Sequence, residues 1–173
     1  MMSNTTTAKQ AFTLMELMIV IVIIGILAAV GMVTFGGQSE KAKIAATKAN
    51  HQVIVKFMTT QIMNCSMGET NLNLLKSNGS EKLVSCNKSL VNTITLGSSF
   101  VNHFWGEDLQ NPFGIVVNGK TYVTTGNSPY LGQTQIVHAG GTKILIQTKF
   151  SGDQGQWKGD AKEILSATVI DTR

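Results

Sequence analysis

Hydrophobic positions in this chain change their spacing along its length, and each spacing predicts a different element. From Phe12 to Gly37 nearly every residue is apolar, and residues 17–39 carry no charge. A helix rises about 1.5 Å per residue and a bilayer's hydrocarbon core is about 30 Å thick, so this run is long enough to cross a membrane. Beyond Gly36 and Gly37 the apolar residues recur every three or four places, at Ala42, Ala46, Ala49, Val53, Phe57 and Ile62. That period continues the same helix as an amphipathic one to about Asn64, with Lys41, Lys48, Gln52 and Lys56 largely off the stripe. Gly25, Gly31, Gly36 and Gly37 each weaken such a helix by about 1 kcal/mol relative to alanine, while letting neighbouring helices approach closely.

Residues 65–98 are rich in Ser, Asn, Thr and Gly around short apolar pieces, which reads as a loop region with one short helix, and residues 99–105 add another short piece. Asn111-Pro112-Phe113-Gly114 is a turn signal. From there strand patterns dominate. Residues 115–118 and 121–125 read as a hairpin about Gly119, residues 126–135 as a Gly/Pro/Gln loop, and residues 142–150 as the strongest strand. A polar loop carrying Trp157 leads to a last alternating strand at 164–171, at or next to the sheet edge. The expected fold is α+β: a long N-terminal helix packed against an antiparallel sheet of about four strands. By segment, a polar start at 1–11 precedes the apolar helix (12–37), its amphipathic continuation (38–64), a region of loops and short helix (65–114) and the sheet (115–173).

Composition changes this picture little. The 173 residues suit one domain with an appendage. The net charge of +4 comes from dispersed lysines with no block of like charge, so charge patterning gives no support to nucleic-acid binding and leaves that partner unknown. The apolar run is longer than the core of a secretory signal peptide. Lys9 is the only charge before it, whereas Lys41, Lys43 and Lys48 follow, so loop charge alone would orient the span with its C-terminal side inward. No zinc-protease, phosphate-loop, nucleophile-elbow or dinucleotide-binding pattern occurs, and His51, His103 and His138 are scattered. The chain reads as a non-enzyme without a cofactor.

The chemistry that stands out is Glu16, a lone acid at the edge of the apolar run. An acid at the centre of a membrane helix costs about 2.5–3.5 kcal/mol, less near an end, so its partner becomes the functional question. The bland alternative is that it snorkels at the headgroup level. Lys9-Gln10-Ala11, then Phe12-Thr13-Leu14-Met15-Glu16-Leu17 and the Ile/Val/Gly/Ala run to Val30, resembles the amino terminus of type IV pilins and pseudopilins over residues 9–49. The resemblance implies that residues 1–11 are a leader, that a prepilin peptidase cuts between Ala11 and Phe12, and that Phe12 becomes an N-methylated amino terminus. Ala11 stands where the family usually has glycine, and the family's frequent proline about ten residues after the Glu-Leu pair is absent. The resemblance further implies a bacterial inner-membrane subunit with the leader facing the cytoplasm, later polymerised with copies of itself into a periplasm-spanning or extracellular filament by membrane assembly machinery.

On electrostatic grounds the amine freed at Phe12 adds to the positive end of the helix dipole, and Glu16 of a staggered neighbour would neutralise it. Asn111-Pro112-Phe113-Gly114 is similar to a turn that precedes the first strand of pseudopilins, usually with Asp in place of Asn111. Asp153 and Asp160 are calcium candidates, since an acidic loop binds calcium in some major pseudopilins, although Lys158 and Lys162 lie beside them. Cys65 and Cys86 enclose 20 residues. In an oxidising compartment they would close a loop worth about 3 kcal/mol; two free thiols are the other reading. The expected function is a structural pilus-like subunit. The alternatives are a pseudopilin of a type II secretion system, or a single-span anchored binding module that never polymerises.

Overall fold

A computed structural model of the chain describes residues 12–86, 93–107, 109–116, 119, 122–125, 129–139 and 143–170. The chain divides at Lys41 and Ala42 into two units. Helix α1, Leu14–Ser66, runs through both. In the first unit the stretch Leu14–Met32 is long and apolar enough to span a membrane, and none of it is buried. A helix that is hydrophobic on every side has no single face to turn toward a core.

The second unit contains the core, and α1 supplies a clear stripe to it: Thr47, His51, Ile54, Met58, Ile62 and Cys65 are buried. This stripe is displaced from the one read in the sequence. Ala42, Ala46 and Ala49 are exposed, and Val53 is 55% exposed. The cause is chemical, because Thr47 and His51 are polar residues buried through hydrogen bonds that a hydrophobicity pattern does not register. The helix ends in a Schellman arrangement in which the Glu69 N–H reaches the Asn64 carbonyl (3.1 Å) and the Gly68 N–H the Cys65 carbonyl (3.3 Å), with Gly68 at φ +109°.

The expected loop region at 65–114 holds more structure than that. Strands β1 (Asn71–Leu75) and β2 (Glu81–Ser85) form an antiparallel hairpin. Its turn is closed by the Lys76 N–H on the Ser80 carbonyl (2.7 Å), with Gly79 at φ +81°. Asn78-Gly79 is the dipeptide such turns favour, so this hairpin was legible. Helix α2, Thr93–Gly106, follows and includes the short piece expected at 99–105. Phe100, Val101 and Phe104 enter the core from it, and the Trp105 indole N–H donates to the Val123 carbonyl (2.7 Å).

Among the described residues the main sheet has four strands in the order β3 (Val123–Thr125), β4 (Thr134–His138), β5 (Lys143–Lys149) and β6 (Ile164–Ile170). The α+β class and the number of strands agree with the sequence reading, but the sheet is mixed. β3 runs parallel to β4, pairing Val123 with Thr134, while β4–β5 and β5–β6 are antiparallel. Two strand assignments therefore need correction. Ile115 and Val116 are not in a strand; residues 117, 118, 120 and 121 of the expected hairpin lie outside the described residues. Thr134 and Gln135, read as loop, begin β4. A three-residue strand is only about 10 Å long, so a short connection suffices to bring the chain back alongside it. Ile136, Ile144, Ile146 and Val169 face the core with the α1 and α2 residues.

Candidate functional site

Glu16 lies in the first turn of α1, three residues after Thr13, the last residue before the helix begins. Thr13 Oγ1 accepts a hydrogen bond from the Glu16 N–H (3.3 Å), while Glu16 Oε2 accepts from the Thr13 N–H (3.0 Å) and hydroxyl (2.8 Å). This is a reciprocal capping box, in which a Thr hydroxyl and an acid three places on satisfy amide donors that the helix leaves open. The Leu17 N–H begins the helical ladder on the Thr13 carbonyl. Thr13 is the capping partner of Glu16 that the sequence reading missed, although Thr-x-x-Glu before an apolar run is its signature. Within one copy, the acid is therefore anchored at a helix end whose dipole favours negative charge.

Phe12 precedes this cap and is 82% exposed. Ala11 lies outside the described residues. From Leu14 to Met32 none of the stretch is buried, and the large aliphatic side chains are exposed, Ile24 and Leu27 among them; the next acid is Glu40. Chemically, this surface can take up lipid or other apolar helices, with one carboxylate at its amino-terminal edge.

The other candidates lie in the second unit. Cys65, in the last turn of α1, and Cys86, directly after β2, are joined in a disulfide with Cα atoms 5.4 Å apart. The bond ties the β1–β2 hairpin to the helix that precedes it. Asp153 and Asp160 do not converge on a common cation position. The Asp153 carboxylate is 2.8 Å from Lys149 Nζ, and that hydrogen bond and charge hold its pKa below the ordinary carboxylate value. Asp160 instead accepts the Lys162 N–H (2.9 Å), capping the 3-10 turn Ala161–Glu163. Among the described residues no three His, Cys, Asp or Glu side chains come together to hold a metal. Trp157 is anchored within its loop, its indole N–H donating to the Asp160 carbonyl (2.7 Å) and its amide to the Pro129 carbonyl (3.0 Å).

Two histidines act as struts. His51 Nδ1 meets Thr148 Oγ1 at 2.8 Å, and Thr148 in turn meets Thr134 Oγ1 at 2.6 Å, linking α1 to β5 and β4. His103 Nδ1 accepts the Leu75 N–H (3.0 Å), and its ring stacks on Phe57 with centroids 4.4 Å apart. Burial pushes both imidazoles below the ordinary value; at His103 the Glu107 carboxylate, 3.4 Å from Nε2 but poorly aimed, opposes part of that shift. Tyr122 is buried beside this network and its phenol is pushed up to about 12 by the loss of solvent.

Residues 6–32 match the family described as the prokaryotic N-terminal methylation motif. That motif is the hallmark of type IV pilin and pseudopilin prepilins, and in this chain it covers the capped acid and the exposed apolar helix together. No curated protein and no solved structure matches the chain. The motif supports a pilin-like prepilin or pseudopilin in general, a structural protein processed by prepilin peptidase and anchored in a membrane before assembly.

Proposed function

We propose that this chain is the subunit of a type IV pilus-like filament, stored as a single-span protein of the bacterial inner membrane and polymerised through residues 12–37. The leader, residues 1–11, is removed between Ala11 and Phe12, and Phe12 becomes the N-methylated first residue. The observation that carries this reading is the methylation motif lying over the stretch Leu14–Met32, none of which is buried and whose one acid, Glu16, is four places after Phe12.

Polymerisation exchanges lipid contacts for helix contacts, and lipid tails are as apolar as the side chains, so hydrophobicity alone gives little drive or register. A charged pair does set register. The amine freed at Phe12 is a new positive group at the positive end of the helix dipole, and the Glu16 carboxylate of an adjoining subunit neutralises it when the helices are staggered by a few residues. Glu16 has a local role as well, in the cap with Thr13, so the carboxylate is already oriented toward the helix end where the amine arises.

Mass spectrometry of the mature protein tests the processing, with an N-methyl-Phe12 terminus expected and an intact Met1 contradicting it. For the assembly role, Glu16→Ala should keep its membrane level while filament yield falls about tenfold or more, equivalent to about 1.4 kcal/mol lost per subunit. Undiminished filaments in that variant would refute the pairing, and a processed wild type that stays monomeric would point to an anchored binding module.

A further inference from the structure

Lys149 is the last residue of β5, and its side chain is fully shielded from solvent (0% exposed). A buried ammonium is strongly unfavourable unless its donors are met and its charge is balanced. Here one loop meets all of them. Nζ donates to Asp153 Oδ1 (2.8 Å), to the Asp153 carbonyl (2.8 Å) and to the Gly155 carbonyl (2.9 Å), and Glu163 Oε2 lies 3.7 Å away. Three hydrogen bonds use every N–H of an ammonium, so Glu163 contributes charge without a further bond. Two carboxylates and two backbone carbonyls around one positive centre are also the ligands a hard divalent cation takes.

The rest of the loop is shaped to this centre. Gly152 has φ +92°, and a β-carbon there would collide with the Glu163 carboxylate. The Phe150 N–H donates to the Glu163 carbonyl (2.9 Å), closing the base of the loop. We propose that the Lys149 ammonium is the resident cation of loop 151–163, ordering it without any dissolved metal, and that removing this ammonium converts the same oxygens into a calcium site. The loop is thus ordered by a cation that the chain itself carries and that cannot dissociate.

The test uses the full chain in detergent, followed by hydrogen exchange over residues 150–163 and by thermal melting, in calcium or in chelator. The wild type should show the same loop protection and the same midpoint in both; a calcium-dependent gain in either overturns the proposal. Lys149→Ala in chelator should lose protection across the loop and melt about 5–10 °C lower. Calcium or ethylammonium should restore the protection, one by coordination and the other by refilling the vacated position. A folded Lys149→Ala that keeps its loop protected in chelator, or that neither cation restores, refutes it. Should Lys149→Ala fail to fold, Glu163→Gln decides alongside the wild type. It keeps the three hydrogen bonds and removes one balancing charge, so loop protection should fall while the exchange of α1 and α2 stays unchanged, and undiminished protection counts against the proposal.

Discussion

Asn111 is buried where the turn at 111–115 meets the turn before β4, and every polar atom of its amide is engaged. Its Oδ1 accepts the Phe113 N–H (2.9 Å), while Nδ2 donates to the Ile115 carbonyl (3.2 Å) and the Leu131 carbonyl (3.0 Å). Gly132, at φ +80°, approaches so closely that a β-carbon there would run into the Asn111 side chain. Only an amide fits, because an ionised carboxylate has no hydrogen to give. Asn111→Asp therefore strands two carbonyls and buries a charge, at a cost of about 2–4 kcal/mol. The thermal midpoint should fall by roughly 5–10 °C. Calorimetry on the purified variant checks this, and an unchanged midpoint would mean that water serves those carbonyls instead. The turn itself was readable from Asn-Pro-Phe-Gly. The reason its first residue is Asn rather than Asp was not, since the second acceptor, Leu131, is 20 residues away in sequence.

Elements meet through polar struts as well as through the core, and the struts titrate. His51 joins α1 to β5, and His103 joins α2 to β1; each uses Nδ1 toward a partner, and His103 Nδ1 must be unprotonated to accept the Leu75 N–H. Both folded-state values lie below the ordinary imidazole value of about 6.5. The unfolded chain therefore takes up protons first as pH falls. The contribution of these residues to stability is complete above about pH 6.5 and is lost as pH drops through the lowered folded-state values, by at most about 1.4 kcal/mol per pH unit for each. The Asp153 contribution has the same sign but disappears in a separate window, below the ordinary aspartate range. Melting midpoints between pH 7 and pH 5 should thus decline in the wild type and stay flatter in His51→Asn/His103→Asn, whose Oδ1 can stand in for Nδ1 without titrating. Equal slopes would remove the histidines from the account. The same struts explain what the sequence concealed. Long α1 and the strands at β5 and β6 follow from apolar periodicity, and Asn78-Gly79 and Thr13-x-x-Glu16 are local signals that were available to read. The true buried stripe of α1, the start of β4 and the role of Lys149 were hidden because each buries a polar residue whose partner is distant in sequence or in a following loop. Hydrophobicity patterns assign such residues to the surface.

At the scale of the whole molecule, folding and assembly draw on different residues. Among the described residues the hydrophobic core cluster runs from Ile54 to Val169, whereas the side chains of Leu14–Met32 are all left outside any core. Apolar surface of that extent is unfavourable in water by about 25 cal/mol per Å², and lipid or neighbouring helices are what remove the penalty. It follows that residues 42–173 alone should fold, remain soluble without detergent and melt at the midpoint of the full chain, with the Cys65–Cys86 bond intact. Size-exclusion chromatography and calorimetry on that fragment give the answer. Aggregation or a lower midpoint would show that residues before Ala42 contribute to the fold, and a reductant-sensitive midpoint is expected in both forms. The division also separates two ways in which Glu16→Ala can fail. An assembly defect leaves the melting of the full chain where it was, because the cap at Thr13 stabilises only the first turn of a helix that contributes nothing there to the core. A variant that assembles poorly and also melts lower would instead place Glu16 in the folding of the subunit, leaving the filament register to be set by other contacts.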